Sequence, residues 1–71
     1  MPFSSLSDPT QLARAKAALE HAWEDVGPSV KLKRQKHAKE RLAYIVAALA
    51  VIVDDEYEIA HRAADMFRLT A

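Results

Sequence analysis

LAYIVAALAVIV, Leu42 to Val53, is the stretch that decides the fold. Its twelve side chains carry no charge, and their only polar group is the hydroxyl of Tyr44. Such a run must be sheltered on nearly every side. It is too short to span a bilayer as a helix, which takes ~20 apolar residues, so the expectation is no membrane.

At 100° per residue, Leu42, Ile45, Val46, Leu49 and Val53 form one bulky stripe. Ala43, Ala47 and Ala50, with Tyr44 and Val51, fall on the other side. Working outward, Gln35, Ala38, Leu42, Ile45, Leu49 and Ile52 alternate steps of three and four, the period of a helix. A second helix is therefore expected over 29–53, beginning near Ser29.

Upstream, Asp8-Pro9 is a strong start signal. The Asp8 carboxylate can accept from free backbone N–H groups. Pro9 suits the first helical position, and Gln11 completes a capping box. Leu12, Ala15, Leu19, Ala22, Trp23 and Val26 share one face, and Gly27-Pro28 ends the segment, with Gly27 expected in the left-handed terminal geometry. Helix 1 is placed at 9–26, after a tail at 1–7.

Downstream, DDEYE (Asp54 to Glu58) contains neither Gly nor Pro, but Asp55 with Glu58 matches a second capping box. A tight corner and a third helix at 56–69 are expected, burying Ile59, Ala63, Met66 and Phe67.

The composition agrees with an all-α fold. The chain has 71 residues, with fourteen alanines, one glycine and three prolines, and alanine leads the helix-propensity ranking. One domain, 1–71, is expected: a three-helix antiparallel bundle with a long central helix. A chain this small buries about 60% of its unfolded surface, and small scaffolds usually need a staple. With no cysteine, disulfides and thiolate metal sites are excluded. Self-association is expected instead, through Ala43, Ala47, Ala50, Tyr44 and Val51, giving a homodimeric six-helix bundle.

Charge is balanced at ten basic and ten acidic side chains, unlike the basic excess typical of a dedicated nucleic-acid binder. Its placement is uneven. Lys31, Lys33, Arg34, Lys36, Lys39 and Arg41 are six of the ten basic residues. Pairing with Glu20, Glu24 and Asp25 of helix 1 is the plainest reading of this block. Its alternative is a surface for an acidic protein or, with His37, for phosphates, since a basic helix leading into a dimerising one is the plan of some DNA readers.

Glu58 and His61 have the Glu-x-x-His spacing of ferritin-like sites, with Glu20 or Glu24 as further ligands. They are weak metal candidates beside a plain solvated pair. The three histidines show no nucleophile–base pattern. Trp23, Tyr44 and Phe67 could form a stacking platform, but Trp23 shares the face of Leu19 and Val26 and reads as core, and Met66 and Phe67 as core or interface filler.

The expected function is that of a small non-catalytic interaction or regulatory protein, homodimeric and without cofactor. The second reading is a dimeric nucleic-acid binder using 31–41, and the third a metal-binding bundle. The start, MPFSSLSDP, has neither the basic nor the apolar region of a secretory signal, so a cytoplasmic protein is expected.

Overall fold

The computed structural model describes residues 8–70. Three helices make the fold: α1 (Pro9–Val26), α2 (Gln35–Ala50) and α3 (Glu56–Thr70). Two 3-10 turns, Gly27–Ser29 and Leu32–Arg34, join α1 to α2. No strand occurs among the described residues, and the expected tail at 1–7 lies outside them.

The start of α1 follows from its cap. Asp8 is extended, and its carboxylate accepts from the backbone N–H of Thr10 at 2.9 Å. The bond goes to Thr10, next to Pro9, rather than to Gln11 as a capping box requires.

At the other end Gly27 is right-handed, with φ −57° and ψ −43°, so the expected left-handed terminus does not form. Glycine is needed here for another reason. A Cβ on Gly27 would lie 2.8 Å from Cε2 of the Trp23 indole. Gly27→Ala gains helix propensity of at most ~1 kcal/mol and must displace a large ring at a cost of roughly 1–3 kcal/mol. A net loss of stability is expected, and a melting temperature at or above wild type contradicts it.

The second helix is shorter than the pattern implied, starting at Gln35 and ending at Ala50. Ser29 does not cap it, because its hydroxyl donates back to the Val26 carbonyl at 2.8 Å. Val30 is extended and packs on the core, which pulls the chain away from a helical path. At the far end Val53 is buried while Val51 and Ile52 are exposed. The acids that follow disfavour a helix C-terminus and favour an N-terminus. Asp55 accordingly starts α3: its side chain accepts from the Glu58 N–H at 3.3 Å and its carbonyl from Ile59 at 3.0 Å.

The core holds Leu42, Val46, Leu49 and Val53 of the bulky stripe, Ile59 and Phe67 of α3, and Ala15, Ala18, Ala22 and Val26 of α1. Met66, expected in the core, is 44% exposed. Ile59 and Ala63 are fully buried.

The second helix is not the long central one. α1 has 18 residues against 16 and 15 for α2 and α3, and the most extensive packing joins α1 to α3. α1 and α3 run in the same sense, with Arg14 near Asp54 and Asp25 near Arg68. α2 runs against both.

The alanine face is also covered from within. Lys39 reaches Glu20 of α1, and Ala43 and Ala47 continue its row by steps of four, so this row faces α1. Ala43, Ala47 and Ala50 are all buried by the chain itself, which leaves Tyr44 and Val51 as the exposed part of the expected self-association set.

Candidate functional site

The basic segment and the end of α3 enclose a groove of about 590 Å³. α2 runs antiparallel to α3, so the C-terminal turn of α3 comes to rest beside the start of α2. Val26, Val30, Ala38 and Phe67 supply apolar lining. Val26 and Phe67 are buried, and Val30 and Ala38 partly so. Lys31, Lys33, Arg34, His37, Arg41 and Arg68 bring positive or protonatable groups to the same groove.

The expected neutralisation by helix 1 is largely not realised. Among the described residues, Lys39 alone of the six basic residues in 31–41 forms an ion pair, to Glu20 at 3.5 Å, and it also lies 6.0 Å from the centre of the Trp23 ring. Asp25 is taken by Arg68 of α3 at 2.8 Å, and Arg68 also reaches Asp65 at 3.6 Å. The extended path at Val30 and Lys31 carries the basic residues off the line of α1. Among the described residues, Lys31, Lys33, Arg34 and Lys36 have no acidic partner.

Arg41 holds a different position. Its guanidinium carbon sits 4.5 Å from the centre of the Phe67 ring, a cation–π contact. Its Nε is buried and has no hydrogen-bond partner among the described residues.

Of the six basic residues singled out in the sequence, Lys31, Lys33, Arg34 and Arg41 line the groove. Lys36 is exposed outside it, and Lys39 turns to α1. Phe67, Arg68, Val26 and Val30 were missed as site residues. The signal for Phe67 and Arg68 was antiparallel pairing itself, which sets the last turn of one helix beside the first turn of its neighbour.

The metal candidates do not converge. Glu58 pairs with Arg62 at 3.5 Å and His61 with Asp65 at 3.6 Å, all on the exposed face of α3. Among the described residues no three His, Asp or Glu side chains are grouped to hold a metal ion. Glu20 is engaged by Lys39. The histidines are dispersed: His21 meets Glu56 at 3.2 Å and stacks on Tyr57 at 5.0 Å, and His37 lines the groove.

A second, shallower cleft of about 370 Å³ lies by the far end of α2, between Thr10, Arg14, Asp54, Asp55 and Tyr57. Arg14 and Asp54 approach to only 3.8 Å there, with the Asp54 side chain fully exposed. Among the described residues no helix is long and apolar enough to cross a membrane.

No protein-family model, no curated protein and no solved structure matches the chain.

Proposed function

We propose that this chain is a non-catalytic interaction protein of the cytoplasm that works as a homodimer and receives an anionic partner in the groove beside residues 31–41. One observation carries the reading: among the described residues Lys31, Lys33 and Arg34 have no acidic partner, and they stand around an apolar floor. Like charges set this close repel one another, so their arrangement is suited to a partner rather than to the fold. The Arg41 guanidinium, held on the Phe67 ring, adds a further positive charge beside them.

The floor bears on the class of partner. Phosphates are met by cations and N–H or O–H donors and need no apolar floor, and unpaired bases stack on open aromatic faces. Here the ring in the groove, Phe67, is buried and carries Arg41 upon it. An acidic protein segment with an apolar side chain fits floor and rim together. Nucleic-acid binding is the second reading and draws on the same free cations.

The test is titration calorimetry with a synthetic peptide carrying glutamates around a central leucine, beside a short DNA duplex of matched charge. Peptide binding at low salt, weakened about tenfold or more by Lys33→Glu with Arg34→Glu, is expected. No peptide binding at low salt overturns the reading. Tighter binding of the duplex with a steep salt dependence transfers the function to the second reading.

A further inference from the structure

We infer that a second copy of the chain docks antiparallel along the outer face of α2, setting Asp54 and Asp55 of each copy against Lys33 and Arg34 of the other. The inference rests on the homodimer reading above and specifies its surface.

The face has three parts in chain order. At its centre Tyr44 and Ala48 lie opposite the core positions Leu42 and Val46 of α2 at 100° per residue, and Val51 and Ile52 follow in the turn after the helix. Tyr44 is 54% exposed, Val51 62% and Ile52 75%, and Ala48 is exposed as well. Nothing among the described residues covers them. Before this apolar centre come Lys33, Arg34 and His37, and after it come Asp54 and Asp55.

That order, basic then apolar then acidic, selects the partner and its direction. A parallel copy would bring like charges together at both ends. An antiparallel copy brings opposite charges together at both ends, about a two-fold axis through the apolar centre. Tyr44, near the centre of α2, comes ten residues after Arg34 and ten before Asp54 in the sequence, and a two-fold axis beside it sets the basic end of each copy against the acidic end of the other. Such a contact is isologous and closes as a dimer, with no surface left to extend a filament. Ala48 keeps the centre thin enough for two helices to approach within the usual 8–10 Å.

Among the described residues Arg34 has no ion pair, Asp54 has only its 3.8 Å approach to Arg14, and the exposed Asp55 carboxylate also accepts from the Glu58 N–H at 3.3 Å. The groove floor lies on the α3 side of α2, where Arg41 rests on Phe67. Lys33, Arg34 and His37 line both the groove and this face, and Lys31, Arg41 and Arg68 belong to the groove alone.

Sedimentation equilibrium of the full chain tests the inference. The wild type is expected at twice 7.9 kDa at high micromolar concentration. Arg34→Glu alone and Asp54→Lys alone should each weaken the dimer about tenfold or more, since each loses two pairs and creates two repulsions. Arg34→Glu combined with Asp54→Lys should restore it, because the swapped charges again oppose. Both positions are exposed, and circular dichroism checks that each variant keeps its helices. Tyr44→Glu should give monomer.

A monomeric wild type overturns the inference, as does a dimer indifferent to the single reversals or one that the double swap fails to restore. Peptide titration is read separately. Binding by a monomer would leave the groove reading standing without this surface, and a rescued dimer that binds no peptide would do the reverse.

Discussion

Ile59→Ala is expected to remove a large share of the stability of this chain. Ile59 is fully buried in the first turn of α3, with its N–H held by the carbonyl of Asp55. It belongs to the core cluster that α1 and α2 also enter. Truncating a buried isoleucine to alanine costs about 2–5 kcal/mol, made up of lost transfer energy and the cavity left behind. At ~0.05–0.15 kcal/mol per residue, the whole chain is stable by only about 4–11 kcal/mol. A small domain shifts its melting temperature by about 4–8 °C per kcal/mol. The variant should therefore melt at least ~8 °C below wild type, and Ile59→Val, which costs about 0.5–1.5 kcal/mol, should fall between them. Thermal unfolding followed by circular dichroism reads both. A melting point within a few degrees of wild type for the alanine variant would mean that Ile59 is not where it is described.

Ala18→Leu is the second large effect, and its sign is the point. Leucine is the more apolar residue, so burial area alone predicts a gain. Packing predicts a loss. Ala15, Ala18 and Ala22 of α1 are buried in the same core as Ala60, Ala63 and Ala64 of α3. Small side chains on both helices let the α1 and α3 backbones come close, and that closeness makes theirs the most extensive contact in the molecule. Ala18 has no exposed surface, so three added carbons must push the helices apart or leave their rotamers. Overpacking of this kind costs about 1–3 kcal/mol and occasionally more. Ala13→Leu, on the exposed face of α1, serves as the control and should stay within about 0.5 kcal/mol of wild type. A stabilised Ala18→Leu would refute the close seam.

The same seam explains which parts of the fold were legible in the sequence. The limits of α1 followed from Asp8-Pro9 and Gly27-Pro28, because cap and breaker residues act through their own backbone. The start of α3 followed from Asp55 for the same reason. The start of α2 did not, since Ser29 has the right chemistry for a cap but spends its hydroxyl on the Val26 carbonyl. That choice depends on the 3-10 turn, which no periodicity announces. The alanine row of α2 was legible as a place where a helix comes close. Which helix fills it is a tertiary question, and α1 answers it from within the chain.

The basic rim of the groove was visible as a cluster because its members are neighbours in sequence. The floor was not visible. Phe67 read as core and is core, but its ring also meets Arg41, which is reached only after α3 folds back along α2. Neutralisation by Glu24 and Asp25 was the reasonable expectation for a hairpin. It is displaced by one long-range pair, Arg68 with Asp25, and by the bend at Val30.

Trp23 gives the molecule a native optical probe. It is the single tryptophan, its indole lies against Gly27, and the Lys39 ammonium stands near its ring. Any movement of the joint between the first two helices changes the solvation of that ring and hence the wavelength at which it emits. A red shift would report the joint opening, and an unchanged spectrum with a ligand bound would report a groove already shaped to receive it. No dye needs to be attached.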